Sequence, residues 1–139
     1  MDKIVLDSYA LITVFLDEPG ADAVTKILLE GNAGNLELHI TSYNMGEVYY
    51  MIWRKASKVQ ADVCWNAMLD LHLIVTEPSL DLTHAAATLK ASYKLSYADA
   101  HAAALALHLK GTLLSNDKEF ASLKNTKGFK LRSFANRTR

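Results

Sequence analysis

The chain opens on Ile4-Val5-Leu6, three consecutive aliphatic residues, and the run ends on Asp7-Ser8. A short apolar run with β-branched members and no polar alternation predicts a strand covered on both faces, as in a parallel sheet. The spacing then changes to a helical period, with Ala10, Leu11, Val14 and Phe15 forming a stripe that stops at Asp17-Glu18-Pro19-Gly20. Ala23, Val24, Ile27 and Leu28 predict a second helix over about 21–30, followed by the turn cluster Gly31-Asn32-Ala33-Gly34-Asn35. Leu36 to Ile40 reads as the second strand. Ser42 is a suitable N-cap for a helix reaching about Ala56, with Met45, Val48, Tyr49 and Ile52 on its apolar face.

Another helix is predicted over about 59–70, and Leu73-Ile74-Val75 is a third strand closed by Glu77-Pro78. Ser79 caps a helix running to about Tyr93. Ser96 caps the next, whose alanine- and leucine-rich body ends at Lys110-Gly111 with the glycine expected at a helix C-terminus. Thr112 to Ser115 is a fourth strand, Asp117 to Leu123 a short helix, and Phe129 to Leu131 a fifth strand. Strands that alternate with helices, without hairpin turns, give the α/β class: a parallel sheet flanked by helices.

That topology assigns a place to the acids. In right-handed βαβ units the helices run antiparallel to the strands, so helix N-termini share an edge with strand C-termini. Ligands bind along this edge in open α/β sheets. Asp7 ends the first strand, Glu47 lies in the second turn of the helix after the second, Asp99 in the first turn of the helix led by Ser96, and Asp117 follows the fourth strand. Four carboxylates from four distant segments are therefore expected on one edge. Each aspartate also fits a plain capping role, and Glu119 fits a dipole-favoured helix start. Glu47 lies beyond the capping positions, where Met45, Val48 and Met51 would desolvate it. Two carboxylates 4 Å apart repel by roughly 4 kcal/mol at an intermediate dielectric, so a converged set needs protons or a cation. Oxygen-only ligands favour a hard ion, Mg²⁺ or Mn²⁺, over zinc. Such a site suits phosphodiester hydrolysis by water activated on the ion.

Composition narrows the setting. The 139 residues are half apolar and read as a single domain, 1–139, large enough for a layered core. Cys64 is the lone cysteine, which excludes an internal disulfide and suits a reducing, cytoplasmic compartment. There is neither a signal-peptide pattern at the start nor an apolar run long enough to cross a bilayer. Net charge is zero but unevenly placed: all fifteen acids lie at or before Glu119, and Lys124, Lys127, Lys130, Arg132, Arg137 and Arg139 follow without one. This basic tail suits contact with phosphates or a solvated, frayed end.

Four stretches carry a family resemblance: Val5-Leu6-Asp7-Ser8-Tyr9-Ala10-Leu11, Ile40-Thr41-Ser42 leading to Glu47, Leu95-Ser96-Tyr97-Ala98-Asp99-Ala100, and Leu113-Leu114-Ser115-Asn116-Asp117-Lys118-Glu119-Phe120. In that order and spacing the sequence resembles the PIN domain and, within it, the VapC-type toxins of toxin–antitoxin pairs. The resemblance implies a three-layer α/β/α sandwich with a parallel four- to five-stranded sheet, and a Mg²⁺-dependent endoribonuclease. It implies catalytic, metal-holding acids at Asp7, Glu47, Asp99 and Asp117. Ser8 and Ser115, with Asn116 and Glu119, would be supporting residues, the two serines positioning a metal-bound water or the phosphate. It also implies an RNA substrate, a cognate antitoxin and a homodimer. Tyr49, Tyr50, Trp53 and Trp65 exceed what one helix face needs for its core and offer surface for a partner, whereas Arg54, Lys55 and Lys58 read as a solvated turn.

Two other readings fit the residues less well. A receiver-like signalling domain needs an aspartate ending its third strand, where this chain has Val75-Thr76-Glu77-Pro78. A PIN-like module that only binds RNA or protein has no use for four mutually repelling acids. The five histidines show no i,i+4 pair, and His101 and His108, seven apart, read as packing or surface residues rather than zinc ligands. Glycine-rich phosphate loops and the G-x-S-x-G elbow are absent.

Overall fold

The structure is a computed structural model that describes residues 1–134; Arg137 and Arg139 of the basic tail lie outside the described residues. Five parallel strands, β1 (Lys3–Leu6), β2 (Glu37–Thr41), β3 (Leu73–Thr76), β4 (Thr112–Leu114) and β5 (Leu131–Arg132), form one sheet in the order β3-β2-β1-β4-β5. The helices are α1 (Ser8–Phe15), α2 (Ala21–Asn32), α3 (Ser42–Lys55), α4 (Lys58–Asp70), α5 (Leu80–Ser92) and α6 (Tyr97–Leu109), with a short 3-10 helix over Lys118–Leu123.

The opening strand is the centre of the sheet. Val5 pairs with His39 of β2 on one side and Leu113 of β4 on the other. Its side chains alternate between two cores, which is why the run carries no polar position. Ile4 and Leu6 pack with Leu11, Val24, Leu38, Ile40, Met45, Val48, Ile52, Cys64 and Met68 on one face. Val5 packs with Leu113, Leu105, Ala86, Leu95 and Phe120 on the other. Helices α1 to α4 thus cover one face and α5 and α6 the opposite one, giving the expected three-layer α/β/α sandwich. Among the described residues no helix is long and apolar enough to cross a membrane.

Local chemistry corrects four expectations. The cap of α3 is Thr41 rather than Ser42: Thr41 keeps extended dihedrals and its Oγ1 accepts from the Asn44 N–H at 3.0 Å. Helix α2 runs through Gly31 to Asn32 before the turn begins. At the end of α6 the left-handed residue is Lys110, with φ 55°, and not the glycine. Gly111 is required by a close approach instead, since a Cβ there would lie 2.7 Å from the carbonyl oxygen of Lys3. The fifth strand begins two residues later than the apolar run suggests. Phe129 is held in a turn by its N–H to Thr126 O and packs its ring against Phe120, leaving Leu131–Arg132 to pair with β4.

The aromatic surplus on α3 and α4 is partly solvent-facing. Tyr50, Trp53 and Trp65 are exposed, Tyr49 stacks edge-on against both tryptophans, and its hydroxyl donates to Asp62 at 2.6 Å. The basic turn is not simply solvated. Arg54 lies over the Tyr50 ring, and Lys58 lies over Trp53 while pairing with Asp62 at 2.8 Å.

Candidate metal centre at the sheet edge

Asp7 leaves β1 at the sheet's C-terminal edge and caps α1. Its Oδ1 accepts from the Ala10 N–H at 2.9 Å, and its Oδ2 accepts from the Ser115 hydroxyl. The carboxylate is fully buried. Burial pushes its pKa up to about 7; the hydrogen bonds from Ser115 and Ala10 oppose that rise, and the charges of Asp117 and Glu47 add to it. Capping and site placement therefore coexist in one side chain.

Asp99 sits in the first turn of α6, its N–H donating to the capping Ser96 Oγ at 3.1 Å. It is 4% exposed, and its pKa is raised to about 8, first by desolvation and then by the charges of Asp117, Asp7 and Glu47. Asp117 caps the 3-10 helix through the Glu119 N–H at 2.9 Å, and its own N–H donates to Ser115 Oγ at 2.9 Å. Ser115 thereby fastens two of the acids to the end of β4. Carboxylate oxygens of Asp99, Asp117 and Glu119 lie within 4.8 Å of one another. Glu119, expected to be mainly a helix-start residue, is thus drawn into the cluster, because the tight 3-10 turn returns its side chain to the edge.

Glu47 departs from expectation in its surroundings. Met45 and Val48 point into the core, so Glu47 remains partly exposed and accepts a hydrogen bond from the Tyr50 hydroxyl at 3.2 Å. Its charge nonetheless adds to the rise in pKa of both Asp7 and Asp99, whose largest cause is burial. Tyr9, beside Asp7, feels all four acids: burial, then the charges of Asp117, Glu47, Asp99 and Asp7, raise its phenol. Among the described residues none of the four acids is ion-paired with a lysine or arginine.

The two serines have different surroundings. Ser8 is spent on Asn44, donating to its backbone carbonyl at 3.2 Å and accepting from its Nδ2 at 3.0 Å. Asn116, partly exposed, lines a cleft beside Asp117. Asn44 itself escaped the sequence reading. It is fully buried, its Oδ1 accepts from the Thr41 hydroxyl, and its Nδ2 also reaches the Ala98 carbonyl at 3.3 Å. One amide so ties the ends of β1 and β2 to the first turn of α6, next to Asp99. A signal was present: Asn44, Val48 and Ile52 share one helix face, so a polar residue interrupts a buried stripe.

The donor set fits a hard divalent cation. All ligands on offer are carboxylate oxygens, two are held above their ordinary pKa by burial and mutual repulsion, and among the described residues no lysine or arginine pairs with them. Asp99, Asp117 and Glu119 would hold the ion most directly, with Asp7 and Glu47 adding charge around it.

Solved structures of similar fold include a toxin and toxin–antitoxin complexes. VapBC2 from Rickettsia felis, bound to a DNA fragment from its promoter, aligns with a TM-score of 0.75 at 19% identity, covering 96% of this chain and 99% of that one. VapC20 from Mycobacterium tuberculosis, a sarcin-ricin loop cleaving toxin, gives 0.73 at 13% identity over 87% of this chain and 95% of that one. DNA-bound VapBC from Salmonella typhimurium gives 0.75 at 13% identity over 97% and 100%. No curated protein matches the sequence. The PIN domain family model matches residues 4–125, a span that contains all five acids of the edge, and the chain belongs to the PIN domain family.

Proposed function

We propose that the protein is a Mg²⁺- or Mn²⁺-dependent endoribonuclease and the toxin of a toxin–antitoxin pair. The observation that carries this reading is a set of mutually repelling carboxylates on one sheet edge, Asp7 and Asp99 of them buried, with no lysine or arginine paired to them among the described residues. A fold has little reason to maintain such repulsion unless a cation relieves it. When bound, the ion supplies an activated water and neutralises charge developing on the phosphate. Asp99, Asp117 and Glu119 would hold the ion, Asp7 fixes the central charge from a rigid strand, and Ser115 keeps Asp7 and Asp117 in register. RNA is the proposed substrate, in keeping with the likeness to a sarcin-ricin loop cleaving toxin, and an antitoxin the proposed partner, in keeping with the likeness to toxin–antitoxin complexes. The exposed aromatic face of α3 and α4 suits that partner or a second copy of the chain. The cytoplasm, where Cys64 stays reduced, is the fitting compartment.

The test is cleavage of total RNA by purified protein with Mg²⁺ or Mn²⁺, with EDTA, and with Asp99→Asn. Metal-dependent cutting that the substitution abolishes supports the reading. No cutting under either ion, or undiminished cutting by Asp99→Asn, sinks it.

A further inference from the structure

Next to the acids lies a cleft of about 400 Å³ lined by Tyr9, Thr13, Glu18, Asn116, Asp117 and Phe134. Its size falls in the range of small-molecule pockets, and it shares Asp117 with the acidic edge. Its walls come from the start of α1, the turn after α1 and the turn after β4. Tyr9 is 41% exposed. Among the described residues, the Tyr9 hydroxyl, the Glu18 carboxylate and the Asn116 amide make no hydrogen bond. Glu18 is partly buried, and among the described residues its carboxylate has no ion-pair partner, although its backbone is tied at both ends by Glu18 N to Thr13 O at 2.9 Å and Ala21 N to Glu18 O at 3.0 Å. An aromatic platform, an acceptor-only group and an amide in one concavity are the elements that read an unstacked base.

We infer that this cleft receives one nucleobase of the RNA next to the scissile phosphate, with Tyr9 stacking on it and Glu18 selecting guanine. The choice of base follows from hydrogen-bond chemistry. A carboxylate only accepts, and guanine alone presents two adjacent donors, N1–H and the N2 amino group, on its Watson–Crick edge. Adenine and cytosine offer one amino group there, and uracil one N–H. The Asn116 amide adds a donor suited to guanine O6. The shared Asp117 wall sets the base beside the metal-binding edge, so this inference rests on the nuclease reading for its meaning.

The experiment has two arms. In the first, guanosine, adenosine, cytidine and uridine 5′-monophosphates are titrated without divalent ions and followed by NMR; the phosphate is common to all, so differences report the base. The guanine nucleotide is expected to bind about tenfold tighter than the uracil nucleotide. Glu18→Gln removes that advantage, Tyr9→Ala weakens all four, and Tyr9→Phe retains them. Equal binding of the four, or a guanine advantage that survives Glu18→Gln, overturns the inference. In the second arm, cleavage ends are mapped with Mg²⁺: guanine is enriched at one fixed position beside the cut, and Glu18→Gln loses the enrichment. Cutting without any base preference overturns the pocket and leaves the nuclease standing. Selective guanine binding without cutting does the reverse.

Discussion

Ser115 Oγ donates to Asp7 Oδ2 and in the same position accepts from the N–H of Asp117. One hydroxyl joins the central strand to its neighbour and sets the spacing of two acids. Ser115→Ala should lower cleavage by about tenfold or more while costing ~1–2 kcal/mol of stability, since a buried carboxylate loses a donor. Paired urea unfolding and single-turnover cleavage measure the two effects. Unchanged cleavage would show that Asp7 is placed by β1 and α1 alone.

Asp99→Asn removes a charge that burial and three neighbouring acids disfavour. The metal-free variant should be more stable than the parent by ~2–4 kcal/mol at pH 8, with the gain shrinking toward pH 4, while cleavage is lost. Denaturant midpoints at the two pH values, without divalent ions, check this. A variant destabilised at pH 8 would mean that Asp99 already has a stabilising partner.

The same acids set a pH dependence opposite to ordinary acid denaturation. Asp7 and Asp99 have native pKa values of about 7 and about 8, above the 3.8 of an unperturbed aspartate. Between these limits the native state holds more protons than the unfolded state. Their contribution is therefore fully present below about pH 4 and is lost as pH rises through 7 and 8. Saturating Mg²⁺ or Mn²⁺ should flatten the slope, and apparent metal affinity should rise over the same range as protons leave. Melting curves from pH 5 to 9, with and without the ion, test both; parallel curves would speak against binding at these acids.

Asn44→Ala leaves Ser8, Thr41 and the Ala98 carbonyl short of partners in a buried place. A loss of ~3 kcal/mol is expected, with a fall in cleavage because the first turn of α6 is no longer tied to β2. Thermal unfolding and cleavage assays read the two consequences. A loss under about 1 kcal/mol would show that water replaces the amide.

Much of this arrangement was readable in the residues. The uninterrupted Ile4-Val5-Leu6 run announces a strand with two covered faces, and βαβ handedness carries Glu47, Asp99 and Asp117 to its end. What escaped depends on contacts that spacing does not encode. The 3-10 turn that brings Glu119 to Asp117 depends on one cap, Asn44 matters through partners up to 54 residues away, and Gly111 answers to the carbonyl of Lys3. The cleft at Glu18 joins turns that follow α1 and β4, and no periodicity links them. Even the apolar run Leu73-Ile74-Val75 misleads on coverage, since β3 is an edge strand whose Ile74 and Val75 stay exposed.

The separation of 108 residues between Ser115 and Asp7 has a bearing on how the protein is made. β1 is made well before β4, its second neighbour in the sheet. Asp7 lacks its Ser115 donor until β4 has followed. Closing so long a loop is slow relative to local helix formation. A truncated chain ending before β4 would contain Asp7, Glu47 and Asp99 but neither Asp117 nor the serine that sets it. Asp7 therefore reaches its final hydrogen-bonded arrangement only once β4 has been made and has docked beside β1.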